Sequence, residues 1–267
     1  MEIGASSSCF YPLETEKAFL QIAKLGFKNS EIFFNSPSEL EKPFLKELKN
    51  IKDDYGINVV SLHPMRSFSE GYDIFSKYER RFTDAVESYS KYFEAAAELG
   101  AEFIVLHGSR GRSEITPQQY AERFGKLSEV AKNLGCTLTH ENVVDYAGAK
   151  PEFMKFMKAQ LGDSFKMVLD IKQARRAKVD YREFIELMGK NIVHVHLSDF
   201  SKEKDCIPPT EDGLFDFGEL FTLMKKADYK GKYIVELYSD GFSKGSEIMD
   251  SAVYLQNILN KVMEGSV

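Results

Sequence analysis

Apolar and polar positions follow two periods that alternate along the whole chain. Short apolar runs suited to strands are followed by longer stretches in which apolar residues recur at helical spacing. This pattern predicts strands at residues 2–6, 31–34, 57–62, 102–106, 137–141, 166–170, 192–197 and 232–236. Helices are predicted between and after them, at residues 13–25, 39–54, 77–99, 117–134, 151–160, 181–188, 215–227 and 246–263.

The order of these elements decides the predicted fold class. Strands joined by helical crossovers pair in parallel, and eight such units close into a (β/α)8 TIM barrel of the α/β class. An open doubly wound sheet is the alternative, but it would normally carry a glycine-rich phosphate turn where Gly4-Ala5-Ser6-Ser7-Ser8 stands. No change of composition marks a linker, so we expect a single domain over residues 1–267.

Composition narrows the class of protein. The 267 residues are 43% hydrophobic and 28% charged with a net charge of −6, which is typical of a globular protein and argues against nucleic acid as the main partner. The three cysteines are scattered without a CxxC motif, so a reducing cytoplasm is the expected location. No apolar run approaches the roughly 18 residues that span a bilayer, and we see no secretory signal, so no membrane association is expected.

The ends of the predicted strands carry most of the candidate chemistry. Active residues of such barrels lie at the carboxyl ends of the strands. Metal-capable or titratable side chains stand at six of the eight predicted ends, namely His63, His107, Glu141, Asp170, His196 and Glu236. A purely structural barrel gives no reason for this pattern. Carboxylate oxygens and imidazole nitrogens are donors that suit a divalent metal.

Four short motifs carry a resemblance to a known family. They are Glu141-Asn142, Leu169-Asp170, His194-Val195-His196-Leu197-Ser198-Asp199 and Val235-Glu236-Leu237. With spacings of 29, 26 and 40 residues between the Glu, Asp, His and Glu, the set resembles the xylose-isomerase-like TIM-barrel superfamily. This superfamily groups sugar and sugar-phosphate isomerases and epimerases with apurinic endonucleases of the endonuclease IV type. The resemblance covers nearly the whole chain.

The resemblance implies a metal centre and a reaction. Glu141, Asp170, His196 and Glu236 would bind one divalent ion, such as Mn²⁺, Mg²⁺, Co²⁺ or Zn²⁺. An ion bound across a carbonyl and the neighbouring hydroxyl acidifies the C–H between them and stabilises an enediolate. Glu141 and Glu236 would be the catalytic pair, one removing the proton and the other returning it. We therefore expect isomerisation or epimerisation of a small sugar, sugar phosphate or keto-polyol as the carbohydrate substrate; a homo-oligomer is left open.

Two positions depart from the family pattern. Gln173 stands three residues after Asp170, where relatives usually carry a histidine, and an amide can hydrogen-bond a hydroxyl but cannot transfer a proton. The Asp-x-His pair of the nuclease corresponds to Asp205-Cys206-Ile207, which lacks the histidine. Both departures disfavour a three-zinc nuclease, although His63 and His107 match nuclease ligands in position. An inosose-type dehydratase, an apurinic endonuclease-like phosphodiesterase and a non-catalytic sugar-binding barrel stay as alternatives.

Further candidates surround the expected centre. The residues predicted to bind substrate are His63, His107, Gln173, Arg110 and Lys202. Arg110 and Arg112 follow strand 4, and two arginines there could anchor a phosphate or a carboxylate. His194 shares a face with His196 but lies one step deeper, so it is expected to support the centre from outside the ligand set. Asp199 is expected in a similar role, either orienting a ligand or pairing with Lys202.

Overall fold

A closed barrel of parallel strands forms the centre of the protein. The computed structural model describes residues 2–111 and 113–265. Within those residues the barrel strands are β1 (Ile3–Ser6), β2 (Asn29–Phe34), β3 (Asn58–Pro64), β4 (Phe103–Leu106), β5 (Thr137–Glu141), β6 (Lys166–Asp170), β7 (Ile192–Leu197) and β10 (Tyr233–Val235), while β8 (Asp199–Phe200) and β9 (Asp205–Ile207) form a separate hairpin. Strands β1 to β7 pair in chain order, and β10 joins β7 to β1 and closes the ring. The predicted (β/α)8 barrel is confirmed.

Helices connect the strands and cover the barrel. Their bounds are α1 (Thr15–Lys24), α2 (Lys42–Tyr55), α3 (Ser67–Asp73), α4 (Glu79–Leu99), α5 (Pro117–Asn133), α6 (Pro151–Leu161), α7 (Ile171–Arg176), α8 (Tyr181–Met188), α9 (Phe217–Lys226) and α10 (Ser246–Glu264). Helices α3 and α7, the β8–β9 hairpin and short 3-10 helices such as Ser7–Phe10 and Ala147–Ala149 fall in described segments where no element was predicted. Among residues 2–111 and 113–265, none of the helices is both long and apolar enough to cross a membrane.

Helix ends follow from local chemistry. Thr116 Oγ1 accepts a hydrogen bond from the Gln119 backbone N–H at 3.2 Å, and Gln119 Oε1 accepts one from the Thr116 N–H at 3.0 Å. This reciprocal cap, with Pro117 in the first turn, starts α5. Gly100 ends α4 in the left-handed region at φ 75°, where a glycine carries no Cβ penalty. The predicted boundaries near these residues are therefore explained by their caps.

The core lies between the barrel and its helices. Alternation along β5, β6 and β7 turns Leu138, Leu169 and Val195 toward the helical layer, where all three are buried. Inside the barrel, Val60, Phe103 and Ile234 form a small separate apolar cluster. The side chains that alternate with the outward apolar residues are thereby directed into the barrel, and those near the strand ends build the site.

The three cysteines are buried and form no disulfide. Burial raises the pKa of Cys9 to about 12 and that of Cys136 to about 11, and it also raises the pKa of Cys206. Since the thiolate is the reactive form, iodoacetamide at pH 8 should alkylate the native protein at least about 100-fold more slowly than the unfolded chain. Timed labelling with and without urea, read by mass spectrometry, measures this ratio. Rapid labelling of any cysteine in the native protein would contradict it.

Candidate active site

Four acidic and imidazole side chains meet at the carboxyl mouth of the barrel. Glu141 and Asp170 end β5 and β6, His196 lies in β7, and Glu236 follows β10. Strand register brings them together, since Asp170 pairs with His196 across β6–β7 and His196 pairs with Ile234 across β7–β10. One donor atom from each of the four lies within 4.8 Å of the others, and all four residues are buried.

The spacing of these donor atoms suits a metal ion. His196 Nδ1 lies 3.4 Å from Glu141 Oε1, 3.5 Å from Glu236 Oε2 and 3.9 Å from Asp170 Oδ2. Ligands held about 2.0–2.6 Å from one ion are separated by at most about 5 Å, so these atoms fit a single coordination sphere. Asp170 Oδ2 and His196 Nδ1 have no well-directed hydrogen-bond partner in the described part of the chain. The four residues could therefore hold a divalent ion.

Glu31 of β2 was not among the predicted site residues, yet it supports the centre from inside the barrel. Its carboxylate is fully buried. The contacts of its two oxygens are Ser6 Oγ (3.0 Å), Ser61 Oγ (2.7 Å), His63 Nδ1 (3.4 Å), His194 Nε2 (3.1 Å) and His196 Nε2 (3.1 Å). Glu31 thus holds His196 by its far nitrogen and leaves Nδ1 to face the carboxylates. The signal available in the sequence was one carboxylate within the run Asn-Ser-Glu-Ile-Phe-Phe.

His63 and His107 lie on the β3 and β4 side of the same cluster. Their Nε2 atoms are 2.7 Å apart, and His107 Nε2 lies 2.9 Å from Glu141 Oε2. Burial lowers the pKa of His107, but the Glu141 carboxylate raises it more, so the pKa reaches about 9. Burial likewise opposes ionisation of Glu141, but His107 holds the pKa of that carboxyl well below its usual range. His63, His107 and Glu141 form a second group of donors that could hold a metal.

Glu70 of α3 ties the loop after β3 to the loop after β4. Its Oε1 accepts a hydrogen bond from Tyr89 Oη at 2.7 Å, and its Oε2 accepts one from the Gly108 backbone N–H at 2.6 Å. Gly71 permits this approach, because a Cβ there would lie 3.3 Å from the Ser109 Cα. The contact fixes the backbone directly after His107.

Lys172, in the first turn of α7, also reaches the centre without having been predicted to do so. Its Nζ donates to Glu236 Oε2 at 3.1 Å and lies 3.4 Å from Asp170 Oδ2, and the ring centroid of Tyr238 is 4.8 Å away. Burial lowers the pKa of Lys172, but Asp170 and Glu236 raise it well above its ordinary value. Burial raises the pKa of Asp170 to about 6, whereas at Glu236 the ammonium outweighs burial and lowers the pKa.

A pocket of about 200 Å³ opens above the cluster. His63, His107 and Gln173, three of the residues predicted to bind substrate, line it together with Glu141 and Glu236. The apolar part of its lining consists of Tyr11, Phe33, Met65, Leu237 and Tyr238. Gln173 Oε1 accepts a hydrogen bond from the Val144 backbone N–H at 3.2 Å, which fixes its amide group at the pocket wall. The pocket combines a charged floor with aromatic and aliphatic walls.

Two predicted substrate contacts lie outside this pocket. The Arg110 side chain is 58% exposed, and its Nη2 lies 3.6 Å from Asp145 Oδ2. A strand-like bridge between Arg110 and Tyr146 joins the loop after β4 to the loop after β5. Lys202 is exposed on the turn between β8 and β9. Arg112, the second arginine considered for anion binding, lies outside the described residues.

Asp199 organises the loop after β7. Its Oδ1 accepts hydrogen bonds from the backbone N–H groups of Phe200, Leu214 and Phe215, at 2.7, 3.1 and 3.0 Å. Gly213 passes so close that a Cβ there would lie 1.8 Å from Asp199 Oδ2. Orienting a ligand, one of the two roles expected for Asp199, stays a prediction; for the other, pairing with Lys202, these backbone contacts take the place of the lysine in the described residues. The reason is that a buried carboxylate is better satisfied by fixed N–H donors than by an exposed ammonium.

The fold and the cluster together define a parallel (β/α)8 barrel with a buried carboxylate and histidine centre at its carboxyl mouth. The family model described as Xylose isomerase-like TIM barrel matches residues 19–258. The chain belongs to this family.

The chain is also similar to individual proteins and to solved structures. An uncharacterized protein of Methanocaldococcus jannaschii is 25% identical, covering 99% of this chain and 92% of its own. A structure described as a D-tagatose 3-epimerase-like protein is similar with a TM-score of 0.80 and 22% identity, over 100% of both chains. D-psicose 3-epimerase with D-tagatose, from Clostridium cellulolyticum H10, has a TM-score of 0.80 and 16% identity, over 97% of this chain and 99% of that one. The structural neighbours are thus TIM-barrel sugar epimerases and isomerases, and at these identities the likeness shows the fold.

Proposed function

We propose that this protein is a divalent-metal-dependent isomerase or epimerase of a small sugar, sugar phosphate or related keto-polyol. The observation that carries the proposal is the convergence of Glu141, Asp170, His196 and Glu236 within one coordination sphere. The neighbours that share the barrel include proteins named as sugar 3-epimerases, which supports the substrate class. Such chemistry needs an acid–base pair at one carbon and an electrophile beside the carbonyl.

Glu141 and Glu236 would form the acid–base pair. They come from β5 and β10, at the two edges of the ligand set, and both line the pocket. A substrate carbon between them would meet one carboxylate on each side, so that one removes its proton and the other returns it. Burial raises the pKa of both groups, but neighbouring cations lower it more, and both are ionised at neutral pH.

The same four residues would hold the metal. When bound, the ion polarises a substrate carbonyl and acidifies the adjacent C–H. His196 presents Nδ1 because Glu31 holds its Nε2 at 3.1 Å. His63, His107 and Gln173 would bind substrate hydroxyls, and Phe33 with Tyr238 would pack against the C–H face of the sugar and exclude water.

Exchange of substrate protons with solvent tests the proposal. Metal-loaded protein incubated with ketoses and aldoses in D₂O should incorporate deuterium next to the carbonyl of its substrate, read by NMR. Glu141→Gln and Glu236→Gln should each slow this exchange by at least about 100-fold. Glu152→Gln, on the exposed side of α6, is the matched control and should keep the wild-type rate. Full exchange in both site variants, or none with any sugar despite bound metal, would refute the proposal.

A metal-dependent phosphodiesterase is the second candidate. One observation favours it, since His63 and His107 with Glu141 form a second group that could hold a metal. Another observation opposes it: Asp205, at the position of the nuclease ligand pair, accepts a hydrogen bond from Arg176 Nε at 2.7 Å. Metal analysis distinguishes the two, because one ion per chain favours the isomerase and three zincs the nuclease. A dehydratase shares the first step with the isomerase. It is distinguished by its product, which lacks one water relative to the substrate.

A further inference from the structure

Lys172 brings a positive charge into the candidate metal centre. Its ammonium lies 3.1 Å from Glu236 Oε2 and 3.4 Å from Asp170 Oδ2, and both carboxylates belong to the proposed ligand set. The side chain is 3% exposed. The ring of Tyr238, 4.8 Å from Nζ, covers another side of the ammonium. The charge is therefore enclosed by the carboxylates that a metal would use.

The fold holds this ammonium in the centre. A buried ammonium is very unfavourable unless it is ion-paired, and in the described residues its salt-bridge partners are Asp170 and Glu236. Helix α7 begins directly after β6, so Lys172 and Asp170 are carried on one continuous segment. The Gln173 backbone N–H donates to Asp170 Oδ1 at 2.9 Å and fixes that turn. Lys172 cannot leave the centre without losing both ion pairs.

The charges of the centre show how Lys172 would affect a metal. Glu141, Asp170 and Glu236 carry three negative charges when ionised, and the ammonium balances one of them. A dication in the same coordination sphere would lie a few ångströms from the ammonium, and such repulsion is strong where little water screens it. The ion would also have to share or take over oxygens that Lys172 contacts.

We propose that Lys172 is a built-in competitor for divalent metal, whose ammonium shares Asp170 and Glu236 with the ion and weakens metal binding at this centre. The inference rests on the proposed metal-binding role of the four ligands and goes beyond it. In this view the affinity of the centre for metal is lowered by Lys172, a residue that is not itself a ligand. A centre of this kind exchanges its metal with solvent, and its occupancy follows the free metal concentration.

Mn²⁺ titration by calorimetry, with the electron paramagnetic resonance signal of free Mn²⁺ as an independent count, tests the inference. Lys172→Met and Lys172→Gln should bind Mn²⁺ at least about tenfold more tightly than the wild type, because a nearby like charge is removed. Lys172→Arg keeps the charge and should stay within a few-fold of the wild type. Lys166→Met, at the opposite end of β6, is the matched control and should bind as the wild type does. The rise in melting temperature on adding Mn²⁺ should be larger in the two uncharged variants.

The outcomes separate this inference from the proposed function. Equal or weaker Mn²⁺ binding in folded Lys172→Met and Lys172→Gln overturns it. If the wild type binds no Mn²⁺, the proposed metal dependence of the wild-type enzyme is wrong. Mn²⁺ binding that appears only in the uncharged variants would then still support the role of Lys172. If no variant binds Mn²⁺, the inference about Lys172 is overturned. Circular dichroism checks that each variant folds. If Lys172→Met does not fold, Lys172→Gln, which keeps a hydrogen-bond donor for the carboxylates, decides the question.

Discussion

Replacing Glu31 with glutamine is expected to weaken Mn²⁺ binding by about 10- to 100-fold and to lower the free energy of unfolding by about 3–5 kcal/mol. The carboxylate is fully buried and lies 3.1 Å from the Nε2 atoms of both His194 and His196. In the glutamine variant the charge-assisted hydrogen bond to His196 Nε2 is replaced by a weaker contact with a neutral amide, so Nδ1 is held less firmly toward the other ligands. The His196 imidazole also loses its buried counter-charge, since burial lowers its pKa but Glu31 contributes to raising it well above the usual value. Calorimetric Mn²⁺ titration and urea unfolding measure the two effects.

The control for this change is a glutamate that the barrel does not enclose. Glu47→Gln, on the exposed side of α2, should leave Mn²⁺ affinity unchanged and alter the free energy of unfolding by less than about 0.5 kcal/mol. If Glu31→Gln behaved like Glu47→Gln, His196 would be oriented by other contacts, and Glu31 would have no part in the centre.

Gly108→Ala should lower the free energy of unfolding by about 3–5 kcal/mol. Gly108 has φ 88°, and an added Cβ would lie 2.1 Å from Tyr120 Oη and 2.6 Å from His140 Nε2. Neither group can retreat, because the two are hydrogen-bonded at 2.8 Å and the ring of Tyr120 stacks on Phe75 at 3.5 Å. Urea unfolding measures the loss. The backbone next to His107 must shift, so solvent-deuterium exchange should fall as well.

Gly100→Ala separates the clash from the backbone conformation. Gly100 has φ 75°, close to that of Gly108, but an added Cβ would meet nothing within 4 Å. Only the left-handed conformation is then penalised, and the free energy of unfolding should fall by about 1–2 kcal/mol. Comparable losses for the two variants would show that the space around Gly108 is not limiting.

The barrel could be predicted because strand and helix periods alternate along most of the chain. Helix α3 was missed because its sequence, Ser-Phe-Ser-Glu-Gly-Tyr-Asp, carries no apolar period. Its fixed position comes from tertiary contacts, since Glu70 bonds to Tyr89 and to the Gly108 backbone. Helix α7 has only six residues, and it begins where the Gln173 backbone N–H donates to Asp170 Oδ1. Asp170 was predicted from sequence only as a metal ligand, so its role in starting a helix was not foreseen. Short elements of this kind depend on contacts that the local pattern does not contain.

The candidate site was predictable where barrel geometry alone determines position. Glu141, Asp170, His196 and Glu236 stand at strand ends, and closure of the barrel brings such positions together. Glu31 lies early in the chain, far in sequence from His196. The two side chains meet only because the closed barrel directs residues of β2 and β7 into the same interior. The placements of Arg110 and Lys202 depend on loop conformation, which residue type does not determine.

Lys172 illustrates a different limit. A lysine after a strand is ordinarily a solvated residue, and nothing in its neighbours along the chain indicates burial. Its direction follows from the turn that Asp170 and Gln173 form, and its partner Glu236 is supplied by the last strand. The charge balance of the centre is therefore a property of the assembled barrel rather than of any motif.

The hydrogen bonds of Glu70 couple the loop after β3 to the loop after β4. A shift of α3 would therefore move the backbone at Gly108 as well. On the opposite side of α3, Phe68 and Tyr72 are 79% and 62% exposed, and Arg81 lies over the Tyr72 ring at 5.0 Å. Because both side chains are largely exposed, substitutions at Phe68 and Tyr72 should change the outer surface of α3 with little effect on stability. The inner side of α3 is therefore fixed by Glu70, whereas its outer side can vary in sequence, both in evolution and in engineered variants.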